Sequence, residues 1–266
     1  MEFWYSLTVG AGRSALAALG VRTRFSGLER LPRYGPAILA SVHVGYPDFM
    51  PIADAGRRRG RNVRFMCRHD VWNKRRWAVP MNAMRHIPVD REAPAGAYLR
   101  ARRLLAAGEV VSGFPEAGIS YSFTVRPLMR GIAALARDTG APVIPVALWG
   151  TQRLYTVGRP RDGREPPPDL TRGRLIDLRM GRPMRVSADD DLTEWTQQLG
   201  HRLAAMLQEL QLLPEHRPRP GEYAPWYPAH LGGHAPDLIE ARQYDEVPRA
   251  AVRPTWPPGT PPPAEP

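Results

Sequence analysis

Ala37-Ile38-Leu39-Ala40-Ser41-Val42 is a near-continuous apolar run of strand length, preceded by a turn from Pro32 to Pro36 and followed directly by His43. A strand apolar on both faces suits a sheet covered above and below, not one with a face in water. The pattern recurs. Strands are predicted at Val21–Gly27, Asn62–Cys67, Glu109–Phe114, Pro142–Trp149 and Leu175–Met180. They alternate with helical spacing over Asp48–Arg59, an irregular stretch at Asp70–Met84, Pro94–Ala107, Leu128–Thr139 and Leu192–Leu213. Alternation of this kind predicts an α/β fold with a mainly parallel central sheet flanked by helices, whose ligands gather beyond the carboxyl ends of the strands. His43 and Phe114-Pro115-Glu116 both follow strand ends, so both are expected at one crevice.

A chain of 266 residues with 43% hydrophobic content can bury one full core. The expected organisation is an amphipathic N-terminal helix over residues 1–20, one domain over 21–213, and a proline-rich tail, extended or disordered, over 214–266. Arg159–Arg172 reads as a polar surface loop. The N-terminus has no basic stretch ahead of an apolar one, so no secretory signal is expected. Arg13 interrupts the apolar character before spanning length. Phe3, Trp4, Leu7, Leu16 and Leu19, with Arg13, Arg22 and Arg24 nearby, suit a helix lying among lipid headgroups or, equally, one packed on its own domain.

The formal charge is +11, and Lys74 is the only lysine among the basic residues. Arginine makes planar bidentate contacts to phosphate and carboxylate, but charge alone does not choose between nucleic acid, anionic lipid and a small phosphorylated substrate. The arginines are spread along the chain with no basic stripe or recognition motif, so no nucleic-acid partner is expected. The single cysteine, Cys67, excludes an internal disulfide and points to a reducing, cytoplasmic compartment; it lies in an apolar-alternating strand as a buried structural thiol. His230 and His234 sit among Gly232, Gly233 and Pro236, unfavourable to a helical ligand pair, and no metal is expected.

The sharpest chemical feature is His43-Val44-Gly45-Tyr46-Pro47-Asp48. A carboxylate at the start of the following helix can accept the imidazole N–H, fix the tautomer and leave the other ring nitrogen as a general base. No G-x-S-x-G or comparable nucleophile signature is present, which favours direct deprotonation of a substrate hydroxyl over a covalent enzyme intermediate. Downstream stand Ile87-Pro88-Val89-Asp90-Arg91, Phe114-Pro115-Glu116-Ala117-Gly118-Ile119-Ser120 and Val143-Ile144-Pro145-Val146. In order and spacing, from about Gly27 to Gly150, these four blocks resemble the glycerolipid acyltransferase family, which includes the lysophosphatidic acid acyltransferases.

The resemblance implies that His43 is the general base, oriented by Asp48, and that Arg91 and Glu116 bind a phosphorylated acceptor. It implies an acyl thioester donor, on coenzyme A or acyl carrier protein, as co-substrate without a cofactor, and work at a membrane lipid surface on the inner face of the cell membrane. The third block departs from the family pattern Phe-Pro-Glu-Gly-Thr-Arg-Ser, having Ala117-Gly118-Ile119 in the middle, and so lacks a phosphate-binding arginine there. Arg126 or Arg130 is expected to supply the charge, with backbone N–H groups around Gly118 as candidate oxyanion donors. The first block has Val42 before the histidine and Val44-Gly45 after it, changes that spare the His/Asp pair. These departures leave a different acceptor lipid, or a non-catalytic lipid-binding relative, as alternatives.

Overall fold

The computed structural model describes residues 2–159 and 165–258. Seven strands form one sheet: β1 (Arg22–Ser26), β2 (Ala37–Ser41), β3 (Val63–Arg68), β4 (Ile87–Val89), β5 (Val110–Gly113), β6 (Val143–Trp149) and β7 (Leu175–Met180), in the order β1-β7-β6-β2-β5-β3-β4. Every pairing is parallel except β6 with β7. The helices are α1 (Glu2–Ala18), α2 (Phe49–Arg58), α3 (Arg75–Ala83), α4 (Ala95–Ala106), α5 (Gly131–Thr139), α6 (Leu192–Gln211) and the short α7 (Leu238–Ala241). All residues of β2, β5 and β6 are buried, which explains their continuous apolar character. Edge strand β1 alternates exposed and half-buried positions and carries Arg22 and Arg24, charges that discourage further pairing.

The chain leaves β2 through α2 toward β3 on one side of the sheet, and leaves β5 through α5 toward β6 on the other. Right-handed crossovers running in opposite directions put their helices on opposite faces and leave a crevice where the direction reverses. That reversal lies between β2 and β5, paired through Ala40 and Gly113. His43 and Glu116 follow those two strands by a few residues.

Most predicted elements appear within a residue or two, and the exceptions have local causes. Three-residue β4 has Pro88 at its centre; a proline lacks the ladder N–H and is tolerated because β4 is the sheet edge. Helix α5 starts at Gly131, not Leu128, because the Leu128 carbonyl accepts the Val252 N–H at 2.8 Å. The irregular stretch divides into a 3₁₀ segment, His69–Asn73, and α3.

Two points left open by the sequence are decided by packing. The tail beyond Pro214 has little regular structure but is docked: Tyr227, Ala235, Val252 and Trp256 are buried, and Trp256 Nε1 donates to the Val125 carbonyl at 3.0 Å. Scattered aromatics supply apolar area enough to anchor a chain too rich in proline for helix or strand. Residues 259–266 of that segment, 160–164 of the predicted loop and Met1 lie outside the described residues. Of the arginines near α1, Arg13 pairs with Asp54 of α2 and Arg24 with Asp177 and Glu215. Helix α1 packs on α2 and buries Tyr5, whose hydroxyl accepts the Val63 N–H, while Phe3, Trp4 and Leu7 stay exposed. No helix among the described residues is long and apolar enough to cross a membrane.

Candidate active site

The chain emerging from β2 turns sharply into a short 3₁₀ segment, Tyr46–Asp48, so that Asp48 folds back under His43. His43 Nδ1 and Asp48 Oδ2 are 2.9 Å apart, and the same oxygen accepts the N–H groups of Val44 and Gly45 at 2.8 and 3.0 Å. Asp48 is wholly buried, and His43 keeps about a fifth of its side chain exposed. With Nδ1 engaged, Nε2 is the nitrogen left for chemistry. The imidazole stacks on Phe114, ring centres 4.0 Å apart and planes 19° from parallel, which fixes the ring's second rotational freedom.

Glu116 is buried and does not meet the cavity. Its Oε1 accepts the His43 backbone N–H and its Oε2 the Arg126 N–H, both at 2.8 Å. Burial pushes the carboxyl up to about 8, against the two N–H groups and the Arg126 charge that hold it down. The third-block glutamate thus ties the ends of β2 and β5 together, in place of the acceptor contact the resemblance implied.

His43 stands at the edge of a large apolar cavity of about 1750 Å³, walled by residues including Trp4, Leu7, Met50, Phe65, Trp77 and Tyr98. Gly118 and Arg91 line it too; Arg91 is half-exposed, donating to the Ala117 carbonyl at 2.5 Å with Glu246 3.5 Å away. Gly118 N–H has no hydrogen-bond partner among the described residues. Arg126 lies behind this loop, buried, donating to the carbonyls of Ile119 and Glu246 at 3.1 and 2.6 Å, with the Asp245 carboxylate 3.6 Å away. Arg130 points elsewhere, to Thr193 at the start of α6. Of the arginines expected near an acceptor, the fold therefore brings Arg91 to the cavity and puts Arg126 and Arg130 outside its lining. Cys67 is on the cavity wall, and burial pushes its thiol up to about 12, leaving it protonated near neutrality. Thr151, with no distinguishing sequence signal beyond its place after β6, donates to Asp48 Oδ1 at 2.5 Å.

The site is therefore a buried carboxylate holding a histidine, at the reversal point of an α/β sheet and at the edge of an apolar cavity. Residues 22–149 match the acyltransferase family model. Over 141 residues, 52% of this chain, the sequence is 26% identical to chloroplastic 1-acyl-sn-glycerol-3-phosphate acyltransferases of Brassica napus and Arabidopsis thaliana, spanning 40% and 38% of their lengths. It is 28% identical over 152 residues to an uncharacterized Mycobacterium tuberculosis protein, spanning 39% of it. The crystal structure of the 1-acyl-sn-glycerophosphate acyltransferase PlsC from Thermotoga maritima superposes with a TM-score of 0.62, covering 79% of this chain and 80% of that one at 18% identity, a likeness of fold. The similarity to acyltransferases thus covers residues 22–149, just under half of the chain.

Proposed function

We propose that this protein transfers a fatty acyl group from a thioester, on coenzyme A or acyl carrier protein, to a lysophospholipid hydroxyl, with lysophosphatidic acid as acceptor and phosphatidic acid as product. The observation that carries this reading is the His43–Asp48 pair at the edge of an apolar cavity large enough for an acyl chain. The acceptor hydroxyl donates to His43 Nε2; as its oxygen attacks the thioester carbonyl, the imidazole takes the proton and the buried Asp48 carboxylate stabilises the imidazolium. The tetrahedral intermediate then expels the thiolate, which recovers the proton from Nε2. In this reading the Gly118 N–H, unpaired among the described residues, is a donor to the developing oxyanion, and Arg91, which also lines the cavity, is the cation for an acceptor phosphate.

Membrane-surface action at the inner face of the cell membrane is part of the proposal. Phe3, Trp4 and Leu7 of α1 are exposed, as are Trp77 and Val79 of α3, a helix that touches α1 and opens with Arg75 and Arg76 after Lys74, so apolar and cationic groups suited to an anionic lipid surface lie on contacting helices.

The test is transfer from a labelled acyl thioester to lysophosphatidic acid in mixed micelles. Wild type forms phosphatidic acid, and His43→Ala loses roughly 100-fold to 10,000-fold in kcat, the usual worth of a general base. Retained activity in His43→Ala sinks the mechanism; a wild type that acylates only another lipid sinks the choice of acceptor.

A further inference from the structure

We propose that Thr151 is a positioning residue for the catalytic pair, acting through Asp48; the inference rests on the acyl-transfer reading above. Thr151 is wholly buried and comes from the 3₁₀ turn after β6, outside the four blocks. Its hydroxyl is the one donor to Asp48 Oδ1 among the described residues, whereas Oδ2 takes His43 Nδ1 and the N–H groups of Val44 and Gly45. All three Oδ2 partners belong to the same short loop as Asp48, so they can tilt with it. Only Thr151 fixes the carboxylate against a different, fully buried strand end, and with it the plane in which the imidazole is held.

Neighbouring contacts clamp the same two segments. Tyr46 N–H donates to the Tyr155 carbonyl at 3.0 Å, and Thr156 Oγ1 donates to the Val44 carbonyl at 2.6 Å. The approach is tight. A Cβ on Gly45 would stand 3.1 Å from the Thr151 carbonyl carbon and the Gln152 nitrogen. Gly150 has φ +112°, and a Cβ there would come within 2.1 Å of the Leu175 carbonyl oxygen. The unusual Gly45 of the first block thus leaves the room in which Thr151 reaches Asp48, while Gly150 lets the turn that carries Thr151 pass close to β7.

Proton transfer requires Nε2 to meet the acceptor hydroxyl while Nδ1–H stays on Asp48, and small misplacements are costly in rate. Losing a hydrogen bond to a buried charged group corresponds to roughly 10-fold to 100-fold in rate. The experiment compares Thr151→Val, which keeps the shape without the hydroxyl, with Thr151→Ser, which keeps the hydroxyl. Transfer to lysophosphatidic acid is measured alongside the low-field proton resonance of His43 Nδ1–H, identified by its absence in His43→Ala. Thr151→Val should lose kcat by that factor with both KM values unchanged and lose or broaden the resonance; Thr151→Ser should keep both within about threefold. Wild-type kcat in Thr151→Val, a change confined to KM, or an equal loss in Thr151→Ser overturns the proposal. If the wild type transfers to no acceptor, the acyl-transfer reading fails and the resonance alone decides: unchanged in Thr151→Val it overturns the positioning role, lost there and kept in Thr151→Ser it supports it.

Discussion

Glu116→Gln isolates the consequence of burying a carboxyl group beneath the His43–Asp48 loop. In the folded protein this group holds its proton up to about 8, against an ordinary value of 4.5. Between those values the folded state binds more protons than the unfolded chain, so this group's contribution to stability is fully present below about pH 4.5 and is lost as the pH rises through about 8. At 1.36 kcal/mol per pH unit, the interval amounts to roughly 5 kcal/mol, an upper bound on the loss. The amide does not ionise, but it offers one oxygen where the carboxyl group offers two, so one of the His43 and Arg126 N–H groups is left facing its NH2. Glu116→Gln should therefore start below the wild type near pH 5, by about the 1–3 kcal/mol of an unsatisfied buried donor, and gain on it as the pH rises toward 8. Urea unfolding followed by circular dichroism at pH 5, 6.5 and 8.5 measures the difference directly. A stability gap that stays constant across that range, or one that moves toward the wild type, refutes the argument and leaves Glu116 ionised throughout.

Other substitutions test how the acceptor end of the cavity and the C-terminal segment are held. A Cβ on Gly118 would stand 2.6 Å from Arg126 Nη1, so Gly118→Ala should push the guanidinium off the Ile119 and Glu246 carbonyls. The expected cost is about 1.5–3 kcal/mol, with faster amide exchange over residues 244–248; unchanged exchange there would show that Arg126 does not fasten this segment. Trp256 is buried, its indole so close over Gly200 that a Cβ there would be 2.3 Å from the ring. Trp256→Ala should destabilise by about 3–5 kcal/mol and expose residues 242–258 to proteolysis; a wild-type Tm with unaltered protease resistance would show that this anchor contributes little.

The sequence by itself determined the class of fold and the pairing of His43 with Asp48. Buried parallel strands must be apolar on both faces, and that local requirement made β2, β5 and β6 visible; a histidine at a strand end five residues before an aspartate is likewise a short-range pattern. Tertiary structure decided what each remaining polar group does. Glu116 and Arg126 read as acceptor ligands, yet the fold turns both inward, one onto the backbone beneath His43 and the other onto the segment carrying Asp245 and Glu246. Thr151 carried no signal at all, because its partner lies 103 residues away. The tail read as loose because proline suppresses periodic structure, and periodicity is the only order a linear reading detects. Its anchors, Tyr227, Val252 and Trp256, find their sites by burying apolar surface against residues distant in sequence, a choice made when the chain closes on itself.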